Sequence, residues 1–300
     1  MIETERLELP GISTEFAPAA AAVCCSLRAG DELLVPRGGL RAYARDGGTM
    51  GVPLLHPWAN RLAADGYRAA GKQVSFDDDP PLNGRDPAGL PIHGCKPSRL
   101  PFEVTGRSDE PGRVTLTTEF DTARAGRVLE IFPFPHRMVV EAQLEPGVLT
   151  LTTTLIAGDE GPVPVSFGYH PYLRLPGVAR EHWQIDVPVH TGLVLDERLL
   201  PTGERRPVEV AAGPLGGRTF DDAYADVEPG ATFVLWGDER RIAVTFLEGY
   251  PFAQMYAPPG QDLICFEPMT APGNALVSGD SLRVLEPGEE HRAAFRIAIS

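Results

Sequence analysis

Lysine is scarce in this sequence, and acidic residues outnumber basic ones. The 300 residues include only two lysines, Lys72 and Lys96, and the formal net charge at pH 7 is −14. The chain has no run of basic residues of the kind that binds polyanions. We therefore expect neither nucleic acid nor an anionic membrane surface as a partner.

Cysteines and long apolar runs are also few. The four cysteines have no CxxC spacing, which disfavours a zinc site or a redox-active pair and favours reduced thiols in an intracellular protein. The longest apolar run, residues 16–27, contains a proline and is too short to cross a bilayer. The first residues lack the basic and apolar regions of a signal peptide. A cytoplasmic location without a membrane span is the expectation.

Motifs of the common metal and cofactor sites are missing. No HxH or HExxH pair places two ligands on one element, and there is no P-loop, no GxSxG and no GxGxxG that opens a helix. We expect no metal and no cofactor, so that any chemistry has to come from side chains alone.

Short alternating segments between glycine- and proline-rich turns dominate what is present. Residues 113–120, 137–144 and 149–156 alternate apolar and polar side chains, which predicts antiparallel strands with one buried face. No segment with helical periodicity exceeds two turns. We expect an all-β protein, a large antiparallel β-sandwich with up to about twenty strands, in a single domain over residues 1–300. Further strands are predicted at residues 19–27, 184–189, 193–195, 232–236, 242–247, 252–256, 263–267 and 293–299.

Glu267 is the first candidate for a functional side chain. It follows the apolar segment LICF and precedes Pro268, which we expect to end the strand and to fix the direction in which Glu267 leaves it. Apolar neighbours would withdraw water from the carboxylate, raise its pKa and make it a stronger base near neutral pH. The alternative is an edge-strand carboxylate that faces solvent.

His170 stands in a similar context. It ends the apolar segment PVSFGYH and precedes Pro171. A carboxylate and an imidazole held on one small substrate can remove one proton and deliver another, which is the minimum needed for general acid–base chemistry. By sequence context, His170 is therefore the best-placed partner for Glu267.

Polar residues at two further turns are weaker candidates. Arg61, next to Asn60, offers a planar pair of donors that suits vicinal hydroxyls, although a surface salt bridge is the alternative. Asp221 and Asp222 are adjacent, so that in an extended segment at most one of them faces a cleft. The alternative for this pair is a solvated turn.

Two other histidines also call for an interpretation. A long loop rich in Pro, Gly and Asp, at residues 77–91, has no predicted secondary structure and leads to His93. The turn can place His93 in a cleft, while the alternative is a structural histidine. His56 precedes a proline and is interpreted as structural, because no downstream partner is apparent.

Five short blocks, in order along the chain, carry a resemblance to a known family. They are PWANR at 57–61, IHG at 92–94, HPYL at 170–173, FDDAY at 220–224, and FEPMT at 266–270 running into NAL at 274–276. The chain resembles the aldose 1-epimerase (galactose mutarotase) family over about residues 10–298. The resemblance implies the β-supersandwich of that family and the interconversion of the α and β anomers of a free aldose, with no cofactor or metal.

The resemblance also implies roles by position. Glu267 corresponds to a general base at the anomeric O1 hydroxyl, and His170 corresponds to a general acid at the ring oxygen O5. The ring would open, the C1–C2 bond would rotate, and closure from the other face would give the other anomer. His93 corresponds to a second donor near O5.

Substrate binding follows from the same blocks. Arg61 with Asn60 corresponds to a clamp on hydroxyl groups. Asp221, rather than Asp222, corresponds to the acceptor from a sugar hydroxyl, because it lies three positions before the aromatic residue Tyr224. The expected partner is a small sugar, bound by a monomer or a homodimer.

Departures from the family pattern leave the substrate open. Arg174 stands where an Asn is common, and the segment after His93, which contains Lys96 and Arg99, also differs. These cations could bind phosphate, so a hexose-6-phosphate 1-epimerase is the alternative within the class. Outside it, the alternatives are a non-catalytic carbohydrate-binding β-sandwich and a glycosidase that uses Asp221 and Glu267.

Overall fold

The computed structural model of the chain describes residues 2–36, 39–48, 50–76, 83–124 and 126–300. Strands make up most of its regular structure, and the helices are short. Within those ranges no helix is long and apolar enough to span a membrane. The helices are α1 (Gly39–Asp46) and α2 (Ala275–Ser278), with 3₁₀ turns at Pro97–Arg99, Gly126–Glu130 and Arg180–His182.

The strands are numbered in chain order. In the first half they are β1 (Glu5–Leu9), β2 (Ile12–Ala17), β3 (Val23–Ala29), β4 (Asp31–Glu32), β5 (Leu54–Leu55), β6 (Gly66–Ala69), β7 (Lys72–Ser75), β8 (Asn83–Arg85), β9 (Pro91–Cys95), β10 (Glu103–Glu110), β11 (Arg113–Asp121), β12 (His136–Glu145) and β13 (Val148–Ala157). In the second half they are β14 (Val163–Val165), β15 (Gly168–Tyr169), β16 (Tyr172–Leu173), β17 (Gln184–Asp186), β18 (Thr191–Leu195), β19 (Pro201–Pro207), β20 (Gly213–Pro214), β21 (Phe220–Ala225), β22 (Thr232–Gly237), β23 (Arg240–Glu248), β24 (Phe252–Ala257), β25 (Ile264–Met269), β26 (Arg283–Leu285) and β27 (Glu290–Ile299).

Two large antiparallel sheets organise these strands. One has nine strands in the described residues, in the order β10-β11-β12-β13-β27-β23-β22-β17-β20. The other has eight, in the order β19-β18-β21-β24-β25-β15-β5, with β16 also paired to β25. A four-stranded sheet, β1-β2-β3-β4, and three two-stranded ribbons complete the description.

The core lies between the two large sheets. Phe233 of β22 contacts Phe266 of β25, with ring centroids 5.5 Å apart, and Tyr169 of β15 contacts Phe295 of β27 at 5.1 Å. The buried apolar side chains of both sheets form one continuous cluster. The predicted all-β sandwich is therefore confirmed, and face-to-face packing explains why the strands alternate between buried and exposed positions.

The alternating stretches fold as their period predicts. Strands β11, β12 and β13 contain the three predicted strands, and every second residue of β13 is buried. The structure has 27 strands in its described residues, more than the predicted number of about twenty. The additional strands are mostly pieces of two to four residues, too short to show a period in the sequence.

Two predictions near the N-terminus were wrong. The strand predicted for residues 19–27 begins only at Val23, because Ala21 and Ala22 have positive φ angles of 58° and 47° and form a turn. Helix α1 was missed in a region interpreted as short apolar segments and turns. It is only eight residues long and buries only Tyr43 and Ala44, too short a segment to stand out as a helix by its period.

The predicted loop at residues 77–91 is only partly irregular. Residues 77–82 lie outside the described residues. The remainder contains β8, which pairs with β9 and forms the ribbon that leads to His93. The prediction that this segment has no secondary structure was therefore wrong for its second half.

A buried pair of histidines joins the segment after β5 to the nine-stranded sheet. His56 Nε2 lies 2.8 Å from His136 Nε2, and His136 Nδ1 lies 2.7 Å from the carbonyl oxygen of Phe134. A carbonyl only accepts, so His136 carries its proton on Nδ1 and accepts from His56 through Nε2. The interpretation of His56 as structural fits this arrangement, but His136 is the downstream partner that the sequence analysis missed.

Acid should destabilise the protein through these histidines. Burial lowers the pKa of His136 to about 4 and that of His56 well below its ordinary value. The unfolded chain then binds more protons than the folded chain between about pH 6.5 and pH 4, so the free energy of unfolding falls as the pH falls through this window. Each such histidine contributes about 1.4 kcal/mol per pH unit.

Urea unfolding of wild type and His136→Phe between pH 7 and pH 4.5 measures this contribution. The variant should lose stability at pH 7 but show a shallower dependence on pH. His182→Asn, at an exposed histidine, should keep the wild-type slope. Equal slopes for wild type and His136→Phe would contradict the interpretation.

Candidate active site

The two main candidates, Glu267 and His170, face each other across neighbouring strands. Gly168 pairs with Met269 and Tyr172 pairs with Cys265, so the register is unbroken and places His170 directly opposite Glu267. Directly opposed side chains point to the same face of a sheet. His170 Nε2 lies 3.2 Å from Glu267 Oε1, and the two side chains are 8% and 1% exposed.

The prolines after both residues interrupt the backbone hydrogen bonds at this point. The N–H of Thr270 donates to the carbonyl of Phe167, so Phe167 and Thr270 form a hydrogen-bonded pair, and such pairs recur at every second position along the two strands. In that phase the two hydrogen bonds around the His170–Glu267 pair would require the N–H groups of Pro171 and Pro268, which proline lacks. The side chains thus meet where two of the four neighbouring backbone bonds between the strands are missing.

Pro268 does not end its strand, contrary to the prediction. Strand β25 runs from Ile264 to Met269, and Pro268 pairs with Ala253 of β24. Glu267 is therefore an interior strand residue rather than a residue at a strand exit. Because it is fully buried, the alternative of a solvent-facing carboxylate is also excluded.

Burial sets the protonation of this pair. It raises the pKa of Glu267 well above its ordinary value, with a further increase from the charge of Asp221. Burial also lowers the pKa of His170 well below its ordinary value, and His93 lowers it further. Both shifts disfavour charge, so the pair shares one titrating proton.

His93 reaches the same site as a neutral donor. The backbone N–H of Asn60 donates to His93 Nδ1 at 3.3 Å, so the ring proton lies on Nε2. Burial and then Arg61 lower the pKa of His93 to about 3. His93 is therefore a hydrogen-bond donor at neutral pH, and of the two imidazoles only His170 contacts a carboxylate.

Backbone contacts fix the orientation of His93. Its N–H donates to the carbonyl of Asn60 at 3.0 Å, and both residues have φ angles near +60°. The next residue, Gly94, packs against the His56 carbonyl so closely that a Cβ would lie 2.2 Å from that oxygen. The IHG block thus needs glycine at its last position.

Arg61 is held by two carboxylates and an amide. Its Nε donates to Asp86 Oδ2 at 2.8 Å, its Nη1 donates to Asn60 Oδ1 at 3.2 Å, and its Nη2 lies 3.7 Å from Asp221 Oδ2. The Arg61 side chain is 12% exposed and that of Asp86 is 5% exposed. The salt bridge considered as an alternative therefore exists, but it is buried and leaves other N–H groups of the guanidinium available.

Asp86 was missed by the sequence analysis. One of its oxygens accepts from the backbone N–H groups of Ala88 and Leu90, and the other accepts from Arg61. The Asp-Pro-x-Gly pattern indicates a turn of this kind. Nothing in the sequence connects that turn with Arg61.

Gln254 was also missed. It lies beside Glu267 on β24 and donates through Nε2 to Asp221 Oδ1 at 2.6 Å. In β24 (FAQMYA) it is a single amide among apolar and aromatic side chains, which is the signal that could have indicated it. Asp221 faces this site, whereas its exposed neighbour Asp222 lies opposite Met255, one position further along the strand.

Three polar atoms at the site have no hydrogen-bond partner among the described residues. They are Glu267 Oε2, Gln254 Oε1 and His170 Nδ1, and all three are buried. Buried polar atoms are normally paired, so a cluster of unpaired ones indicates a surface made for a polar ligand.

These side chains enclose a cavity of about 160 Å³. Typical pockets for drug-sized ligands start at about 300 Å³, so this cavity suits a small molecule. Lys96, Arg99 and Arg174 are not among its described lining residues. The cavity is lined by Asn60, Arg61, Ile92, His93, His170, Tyr172, Asp221, Gln254, Tyr256 and Glu267.

The cations proposed from the sequence as phosphate ligands lie elsewhere. Lys96 lines a neighbouring cavity of about 210 Å³, and the Nε of Arg174 donates to the carbonyl of Glu32. A larger cavity of about 890 Å³ lies among turns near the chain ends and contains no acid–base pair in its described lining. In the described part of the chain, no group of three His, Cys, Asp or Glu side chains could hold a metal ion.

The topology and the long antiparallel sheets define a galactose mutarotase-like β-sandwich. A galactose mutarotase-like protein from Clostridium acetobutylicum has this fold with a TM-score of 0.85 at 17% identity, over 100% of this chain and 98% of that one. A galactose 1-epimerase from Lactobacillus acidophilus matches with a TM-score of 0.76 at 12% identity, over 100% and 99% of the two chains.

The sequence gives the same result at the level of the family. The chain belongs to the aldose 1-epimerase family, whose model matches residues 23–298. The Escherichia coli protein YihR, which is described as uncharacterized, is 25% identical over 267 residues, or 82% of this chain and 80% of that protein.

Removing Asp86 should destabilise the fold by leaving the Arg61 guanidinium buried without its main partner. Asp86→Ala should lower the free energy of unfolding by about 3 kcal/mol, whereas Asp222→Ala should change it by less than about 0.5 kcal/mol. Urea unfolding at pH 7 measures both. The double variant Arg61→Met/Asp86→Leu should recover only the part that comes from the buried guanidinium, because the N–H groups of Ala88 and Leu90 stay without their acceptor. A double variant as unstable as Asp86→Ala would contradict this account.

Proposed function

We propose that the protein is an aldose 1-epimerase that interconverts the α and β anomers of a free aldose. The observation that carries the proposal is the 3.2 Å contact between His170 and Glu267 in a small polar cavity. Anomer exchange moves one proton from O1 and one to O5, and both oxygens are bonded to the same carbon. An acid and a base that touch each other suit two such closely spaced oxygens.

The shared proton gives a balanced cycle. Glu267, as carboxylate, takes the proton of the O1 hydroxyl, while His170, as imidazolium, protonates O5 and the C1–O5 bond breaks. The resulting aldehyde rotates about C1–C2, and the reverse transfers close the ring on the other face. Ring opening converts two buried charges into two neutral groups, so the burial that raises the pKa of Glu267 and lowers that of His170 assists this step.

The remaining polar groups orient the sugar. His93 donates from Nε2 as a neutral imidazole to the ring oxygen or to the charge that develops there. Arg61, Asn60 and Asp221 bind ring hydroxyls, together with Gln254. The unpaired oxygens of Glu267 and Gln254 supply acceptors that such hydroxyls can satisfy.

The charge around the cavity favours a neutral sugar. The positive charge of Arg61 is offset by Asp86 and Asp221, and Lys96 lines another cavity. A phosphate in the site would therefore meet no unpaired cation among the described lining residues. A hexose-6-phosphate 1-epimerase is the second candidate within this class. Lys96, Arg99 and Arg174, the cations that suggested it, are not among the described residues that line this cavity.

The candidates from other classes have less support. A carbohydrate-binding module does not need a buried acid and base in contact with each other. A glycosidase needs two carboxyl groups that flank a bond, with the second free to act as a nucleophile or to activate water. Asp221 is instead engaged by Gln254 and Arg61, and the group in contact with Glu267 is an imidazole.

Polarimetry of freshly dissolved α-D-galactose and α-D-glucose tests the proposal. Wild type should accelerate the decay of optical rotation, and Glu267→Gln should reduce kcat by about 10²- to 10⁴-fold, because it removes the base. Glu248→Gln, at an exposed glutamate, is the matched control and should be as active as wild type. If Glu267→Gln retains wild-type kcat, Glu267 is not the base.

A comparison of each sugar with its 6-phosphate tests the substrate class. The offset charge at Arg61 predicts a higher kcat/KM for the free sugar, measured by exchange spectroscopy between the two anomers at equal concentration. The same assay with Lys96→Met controls for the neighbouring cation. A kcat/KM that is higher for the 6-phosphate and falls in Lys96→Met would favour the second candidate.

A further inference from the structure

The ring of Tyr172 lies flat against the ring of His170. The two centroids are 4.1 Å apart, and the ring planes differ by 14°. The residues are two positions apart, separated by Pro171, so their side chains share one face of the sheet. Tyr172 is 6% exposed and lines the cavity together with His170.

Backbone and side-chain contacts hold Tyr172 in place. Its N–H donates to the carbonyl of Gly51 at 2.9 Å, and it pairs with Cys265 of β25. Its side chain packs in a small apolar cluster with Leu263 and Cys265. The stack with His170 is thus built into the strand register and does not depend on a mobile side chain.

Charged and titratable groups surround His170 on several elements. Glu267 of β25 lies at 3.2 Å, the ring of His93 from β9 lies at 5.4 Å, and the ring of Tyr256 from β24 lies at 5.9 Å. Arg61 and Asp221 line the same cavity. Of these groups, Asp221 bonds to Gln254 and His93 is neutral, so Glu267 is the carboxylate in contact with the imidazole.

His170 has to turn its Nε2 proton from Glu267 Oε1 to O5 when it acts as the acid, while the unpaired Glu267 Oε2 faces the substrate. The imidazolium then needs another source of stabilisation, because its side chain is buried. The face of an aromatic ring carries negative potential and attracts a cation within about 6 Å of its centre, an effect that grows when both groups are desolvated. Tyr172 is the ring that lies parallel to His170, whereas the rings of His93 and Tyr256 are steeply inclined to it.

We propose that Tyr172 is a positioning residue that keeps His170 protonated, and its imidazole plane fixed, while Glu267 is engaged with the substrate. The role rests on the proposed function, because it matters only if His170 acts as the acid. The stack counteracts the burial of His170 and keeps the imidazolium populated when the sugar binds. Removing the ring face makes His170 lose its proton at lower pH.

The dependence of kcat/KM on pH, measured by polarimetry, tests this role in wild type, Tyr172→Leu and Tyr172→Phe. Because burial raises the pKa of Glu267 and lowers that of His170, the reactive carboxylate–imidazolium form is a minor part of the singly protonated pair. A lower His170 pKa therefore reduces the plateau of kcat/KM and moves the acid limb of the profile to lower pH. Tyr172→Leu should move the acid limb by about 0.5 to 1 pH unit and lower the plateau about 3- to 10-fold, and Tyr172→Phe, which keeps the ring face, should leave both in place. Tyr172→Met replaces Tyr172→Leu if the latter does not fold.

Titration of His170 by NMR in the free protein separates this proposal from the proposed function. With His170→Asn used to assign the signal, the apparent pKa of His170 should be lower in Tyr172→Leu than in wild type and Tyr172→Phe. If this holds but no sugar is a substrate, the stack acts as proposed and the proposed function fails. If neither the pKa nor the acid limb moves in Tyr172→Leu, or if both move equally in Tyr172→Phe, the inference is overturned.

Discussion

The arrangement of the site depends on one register, that of β25 against β15 and β16. It places His170 opposite Glu267, and the prolines that follow these residues remove the two N–H groups that would have linked the strands around the pair. Both side chains are buried, and their pKa values move in the directions that strengthen a base and an acid. A shift of either strand by one residue would turn one member of the pair into the core.

The second constraint is the chain of contacts that brings the 56–61 and 92–95 segments over the sheet. His56 is tied to His136 in the nine-stranded sheet, and its carbonyl accepts from the N–H of Cys95. His93 and Asn60 then hold each other through reciprocal hydrogen bonds. The sugar-binding candidates are therefore supported from the interior of the molecule rather than by the surface loops that carry them.

The sequence predicted the class of fold from one pattern and the pairing of His170 with Glu267 from another. Period-2 alternation between residues 113 and 156 indicated strands correctly, because each has one buried face. The His-Pro and Glu-Pro steps indicated a site, although for a different reason from the one inferred: Pro268 does not end its strand but stays within it. Asp86 and Tyr172 gave no comparable signal, and Gln254 gave only that of a single amide in an apolar strand, because their contacts depend on register and turn geometry between distant segments.

The missing backbone bonds around His170 and Glu267 have a mechanical consequence. A ligand that inserts polar atoms between two strands normally has to break ladder hydrogen bonds, and each broken bond leaves two buried groups unsatisfied. Here the His170 N–H is already bonded to the Pro53 carbonyl on the other side. The two strands therefore have fewer mutual backbone bonds to lose at this point than at neighbouring positions, so the sheet should yield most easily beside the candidate acid–base pair.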